Sequence, residues 1–107
     1  MDDVTVDRGR LRDLVARHVR DERTVTSVPG LTLYRRWSPS PLQDSTYEPS
    51  LSLVVQGRKR TILGHNDLRY GNDRYLITPV EVPVVTQVLD ASADTPFLSL
   101  MLHNSRS

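Results

Sequence analysis

The sequence predicts a mainly β domain, a sandwich or barrel of jelly-roll type, with one N-terminal α-helix. Three observations predict it. Short runs rich in Leu, Val, Ile, Thr and Tyr recur from Leu31 to Leu102, and runs of that length and composition read as strands. Turns bearing Gly57, Gly64 and Gly71 separate several of them, and glycine supplies the positive φ of a tight reversal. Helical spacing of apolar residues occurs only ahead of these runs, at Leu11, Leu14, Val15 and Val19.

Residues 1–23 form the predicted helical arm. Asp2, Asp3 and Asp7 precede the apolar stripe, while Arg17, Arg20 and Arg23 close it. That order suits the helix dipole at both ends, with Thr5 or Asp7 as cap. The arm is expected to pack on the sheet or on a partner. Its acidic residues offset its arginines, which argues against a helix laid in a DNA groove.

The β domain is assigned to residues 24–102. Residues 24–30 read as a connector ending in the Pro29-Gly30 turn. Residues 31–37 read as a strand with Leu31 and Leu33 on one face and Tyr34 and Arg36 on the other. The proline-bearing residues 38–45 read as a loop, long enough to serve function or merely to connect. Strands at 51–56, 58–63, 68–70 and 75–78 are expected to form an antiparallel meander through their glycine turns. An open meander must curl or pack on another sheet to bury its apolar face. Pro79 and Pro83 mark a break, because proline cannot donate within a central ladder. Strands at 84–89 and 97–102 follow, and residues 103–107 form a patternless tail.

Composition narrows the function. The chain has 107 residues, 37% of them apolar, with one Phe and one Trp, so Leu and Val must build the core. Fourteen basic residues against thirteen acidic ones give a net charge of +1. Such a balance provides no general field for nucleic acid or membrane. With no cysteine, disulfides, zinc-thiolate sites and thiol chemistry are excluded. No apolar run approaches the length of a membrane span, and the acidic start lacks a signal-like hydrophobic region. A cytoplasmic location is therefore expected.

Catalytic signatures are absent from the sequence. His18, His65 and His103 are far apart and in no metal-ligand spacing. No phosphate loop, nucleophile elbow or carboxylate pair is present. No metal, cofactor or catalytic residue is expected. The one basic cluster is Arg58-Lys59-Arg60. On a strand Arg58 and Arg60 share a face and Lys59 takes the other. The cluster is expected to solvate an edge strand, with anion binding as the alternative.

Two blocks carry a resemblance. Tyr-x-Pro-Ser-Leu at residues 47–51 and Gln-Gly-x-Lys at 56–59 resemble the N-terminal domain of AraC-type bacterial transcription regulators. The segments at 29–36, 68–70, 75–76, 83–84, 87–88 and 96–98 continue the likeness. The resemblance implies a cupin-like double-stranded β-helix that senses a small effector or mediates dimerisation. DNA binding in that family belongs to a C-terminal pair of helix-turn-helix units, so these 107 residues are not expected to bind DNA specifically by themselves. Metal-dependent cupins also carry a His-x-His on a middle strand; residues 78–83 offer no histidine.

The reading is therefore a non-catalytic regulatory domain that binds a small-molecule effector, forms a homodimer, or does both. Pairing would run through the N-terminal helix or the Arg58 and Arg60 strand. The alternative is a small stand-alone cupin-like protein that binds or transforms a carbohydrate-like molecule. Candidate ligand-binding residues are the polar or aromatic side chains on otherwise apolar strands and beside the loop: Tyr34, Arg36, Trp37, Tyr47, Gln56 and Gln87. Tyr47 and Gln56 have a second reading, as buried hydrogen-bonding pins of the sheet.

Overall fold

Among the described residues, nine strands and one helix make up a two-layer β-sandwich with the helix on its outside. The architecture is taken from a computed structural model that describes residues 8–71 and 74–103. The elements are α1 (Arg8–His18), β1 (Arg23–Val25), β2 (Leu31–Arg36), β3 (Gln43–Tyr47), β4 (Ser50–Gln56), β5 (Arg58–Leu63), β6 (Asn66–Tyr70), β7 (Tyr75–Thr78), β8 (Val82–Asp90) and β9 (Phe97–His103). One sheet has the order β1-β2-β9-β4-β7 and the other β3-β8-β5-β6. Every pairing among these strands is antiparallel. The predicted mainly β, jelly-roll type domain with one helix is the fold found.

The five-stranded sheet is the middle layer, so both of its faces are used. Its outer face carries Leu33, Val55 and Leu98, which pack with Val15 and Val19 of the helix side. Leu11, Val15 and Val19 lie four residues apart, one turn each, so a single stripe reaches the sheet. Its inner face carries Val54 and Phe97, which meet Tyr70 of the opposite sheet. Neighbouring residues Val54 and Val55 thus serve two different cores, as alternation along a strand requires.

The helix is shorter than predicted. It ends at His18, and Arg23 already opens a strand. The Arg35 guanidinium donates to Val19 O at 3.4 Å and Arg20 O at 2.9 Å. The backbone N–H groups of Arg20 and Asp21 donate to Thr24 Oγ1. These bonds satisfy the end of the helix and turn the chain. The expected caps Thr5 and Asp7, with Asp2 and Asp3, lie outside the described residues, as do Asn72, Asp73 and residues 104–107.

Two predicted loops contain strands. The connector at 24–30 includes most of β1, which pairs with β2 through Thr24 and Leu33. The loop at 38–45 gives way to β3, whose Gln43, Asp44, Ser45 and Thr46 are exposed. Neither has the apolar alternation that marks a strand, because both lie at sheet edges.

The meander is also corrected. Of its consecutive strands only β5 and β6 pair, joined through the turn at Gly64, while β4 pairs with β7. At Gly57 the chain leaves one sheet for the other: β4 lies between β9 and β7, and β5 between β8 and β6. Register shifts at Val54/Gln56 and Arg58/Lys59 flank that glycine. Bulges bend a strand sharply, and two of them around φ +87° at Gly57 carry the crossing. Consequently β5 is an interior strand, not an edge, and its Arg58-Lys59-Arg60 cluster guards no open ladder. Pro83 is tolerated inside β8 because only β3 pairs at that position; the β5 pairing extends no further than Val85.

Candidate functional site

Between the sheets lies an open cavity of about 270 Å³. Its walls come from β2 and β9 on one side and from β3, β5 and β8 on the other. Strand alternation fixes what faces it. Tyr34 and Arg36 alternate on β2, Ser99 and Met101 on β9, and Ser45 and Tyr47 on β3. The loop after β2 closes the rim. There Ser40 N donates to Val88 O at 3.0 Å and Val88 N donates to Ser40 Oγ at 2.8 Å, so the loop extends the ladder of β8.

The interior beside the cavity is hydroxylic. Thr61, fully buried on β5, lies 3.4 Å from the Tyr47 hydroxyl and 3.3 Å from the Tyr70 hydroxyl. Ser52 of the facing sheet is also buried. Burial pushes both phenols up from their ordinary value, with the hydrogen bonds to Thr61 acting in the opposite direction. Both phenols therefore stay neutral at physiological pH and act as hydrogen-bonding groups, not charges.

Charge enters from Lys59. Its neighbours Arg58 and Arg60 face outward, paired with Asp90 and Asp67. Lys59 points the other way, lines the cavity, and places its ammonium 5.3 Å from the centre of the Tyr47 ring. Arg36 reaches the rim, donating to Ser38 O at 2.7 Å and Pro39 O at 3.4 Å, with Glu22 at 3.9 Å.

Of the six candidate residues, Tyr34, Arg36 and Tyr47 come together around this cavity. Gln56, Trp37 and Gln87 stand elsewhere. Gln56 Nε2 donates to Pro96 O at 2.7 Å. Trp37 is exposed, with the Arg35 guanidinium 4.3 Å from its ring centre. Gln87 Oε1 accepts from Arg60 at 3.5 Å on the outer face. The sequence reading passed over Lys59 because it took the basic tripeptide as one solvated unit. The signal that could have found it was the face alternation, which already set Lys59 opposite its neighbours. Gln43 and Ser45 were passed over because β3 was read as loop.

Among the described residues no group of three His, Asp or Glu side chains is arranged to hold a metal ion. His18 Nδ1 donates to Leu14 O on the helix, His65 is exposed in a turn, and His103 ends β9. No helix among the described residues is long and apolar enough to cross a membrane.

A mainly β sandwich with a cavity between its sheets defines the class of domain. The family model of the AraC-type transcriptional regulator N-terminus matches residues 27–106, and the chain belongs to that family. No curated protein and no solved structure matches it significantly.

Proposed function

We propose that this domain is the effector-sensing part of an AraC-type transcription regulator and that the inter-sheet cavity receives the effector. The observation that carries the reading is an open cavity walled by both sheets and lined by residues from six strands. Rigid sheets with a concave interior are common ligand sites. The cup plays the part of the cupin-like barrel mouth; DNA contact is assigned to a separate helix-turn-helix part. The domain is read as non-catalytic and cytoplasmic. Isothermal titration of the purified chain against metabolite classes tests this. Binding that is weakened by Arg36→Ala or Tyr47→Phe supports the cavity, whereas binding unaffected by both variants rejects it.

A second role, dimerisation, is favoured by a separate surface. Leu14, Val25 and Val28 are exposed around a groove between α1 and β1 that also reaches Leu31 and Leu100. Exposed apolar residues gathered in this way suit a partner surface. The expected homodimer would use this helix side; β5 is unavailable as an edge. Sedimentation at high concentration is the check, and a strict monomer removes the role. The alternative of a stand-alone carbohydrate-binding or transforming protein would be favoured by tightly bound metal in elemental analysis together with sugar turnover.

A further inference from the structure

We infer that the effector is a small organic anion, a carboxylate with a short apolar or ring-shaped body, whose charge pairs with Lys59. The inference deepens the effector reading above and rests on it. Four observations carry it.

First, Lys59 is a half-buried cation on the inner face of an interior strand. Among the described residues no carboxylate pairs with it; it stands over the Tyr47 ring and acts electrostatically on the Tyr70 phenol. A lysine directed into a sandwich is costly unless something compensates its charge. The ring offers only the weak attraction of an aromatic face. The two flanking arginines have been matched with aspartates, so the vacancy for an anion is specific to Lys59.

Second, the charged groups directed to the cavity side are Glu22, Arg23, Arg36 and Lys59, three cations against one carboxylate, while the Arg35 guanidinium turns to the opposite face and the helix end. Glu22 sits out at the rim, two-thirds exposed and facing Arg36. The potential inside is therefore positive, although the chain as a whole is almost neutral. Walls of low polarisability concentrate such a field.

Third, other donors line the cavity that Lys59 enters. Tyr34 and Gln43 line the same space, and among the described residues neither side chain is engaged in a hydrogen bond with another protein group. Because burial keeps the Tyr47 phenol neutral, no phenolate competes for the lysine. A carboxylate oxygen would find one charged donor and additional neutral ones.

Fourth, Phe97 and Met101 give the β9 wall, which faces the sheet of Lys59, an apolar surface, and Val88 adds to it from β8. An inorganic ion would leave that wall unused. A carboxylate with several carbon atoms would cover it, and about 270 Å³ lies at the small end of ligand cavities.

The test is isothermal titration of the full chain with a panel of small monocarboxylates from acetate to benzoate and phenylacetate. Each is paired with its neutral amide, and inorganic phosphate is included. At least one organic carboxylate is expected to bind, with its amide and phosphate roughly tenfold weaker or more. Lys59→Met should lose about as much affinity and Lys59→Arg should retain most of it, with circular dichroism confirming the fold of each. Equal binding of acid and amide, preference for phosphate, or undiminished binding by Lys59→Met overturns the inference. If the carboxylates fail while neutral metabolites bind at the cavity, the anion inference falls and the effector reading stands. If no compound binds, both fall.

Discussion

The Tyr47 hydroxyl meets Thr61 Oγ1 at 3.4 Å although their strands are not neighbours. β8 lies between β3 and β5, so the Tyr47 ring spans a whole strand on the inner face. Thr61 then lies 3.3 Å from the Tyr70 hydroxyl on β6. A single threonine hydroxyl on an interior strand thus links the two edge strands of its sheet, β3 and β6.

Thr61→Val tests that junction. Valine fills the same space but offers neither donor nor acceptor. Two buried phenols then lose their shared partner, which costs about 1–3 kcal/mol when a polar group is left unsatisfied. For a domain of this size, urea denaturation should show that loss, with a fall in Tm of several degrees for each kcal/mol. The double variant with Tyr70→Phe should be less destabilised than the sum of the singles, since the phenol no longer needs the threonine. Additive losses would show that the two hydroxyls are independent.

Gly57 and Gly64 separate conformational strain from crowding. Both have positive φ, +87° and +57°. A Cβ at Gly57 would stand 2.5 Å from the Asp90 carbonyl oxygen and 3.2 Å from the Phe97 ring, whereas one at Gly64 meets nothing within 4 Å. Gly64→Ala is expected to cost about 1 kcal/mol, the ordinary penalty for a left-handed residue. Gly57→Ala adds a backbone clash at the point where the chain changes sheets, and should lose more than about 3 kcal/mol or fail to fold. Similar midpoints for the two variants in denaturant would contradict the crossing geometry.

Much of this architecture could be read in the residues, and the unread parts have physical causes. Seven strands announced themselves through aliphatic runs and glycine turns. β1 and β3 did not, because an edge strand with one paired side and mostly exposed side chains needs no apolar alternation. The allocation of strands to sheets was hidden as well. A glycine turn between two strands looks alike whether it closes a hairpin, as at Gly64, or carries the chain across, as at Gly57. Bulges and contacts with Asp90 and Phe97 decide between them, and those contacts join residues more than thirty positions apart. The cavity was partly legible for the same reason. Tyr34 and Arg36 follow from the alternation of one strand, but their convergence with Lys59 depends on which sheet each strand joins.

Arg35 holds the helix to the sandwich by a different means. Its guanidinium donates to Val19 O and Arg20 O and lies over Trp37, 4.3 Å from the ring centre. Arg35→Met retains the stem but removes both charge-assisted bonds, each worth about 1.5–3 kcal/mol when fully formed and less at 3.4 Å. Destabilisation of about 1–2 kcal/mol is expected. Trp37 is the sole tryptophan, so its fluorescence reports directly on the site. Its emission should change with Arg35→Met in the folded protein, and an unaltered spectrum would mean that the stacking does not persist in solution.

Acid should weaken the outer face of the four-stranded sheet before its interior. Arg60 binds both oxygens of Asp67, at 2.7 and 2.9 Å, and lowers the aspartate pKa; Arg58 does the same to Asp90. A carboxylate with a depressed folded-state pKa contributes stability above its unfolded value, near 3.9, and loses it as pH falls through the folded value. Stability should therefore be level from neutral pH down to about 5 and decline below about 4. Both pairs face solvent, so the contribution is small and salt reduces it. Asp67→Asn should flatten the acid limb of a plot of stability against pH without changing its neutral plateau greatly, and added salt should flatten the wild-type limb similarly. An acid limb of unchanged slope in Asp67→Asn would assign the decline to other carboxylates.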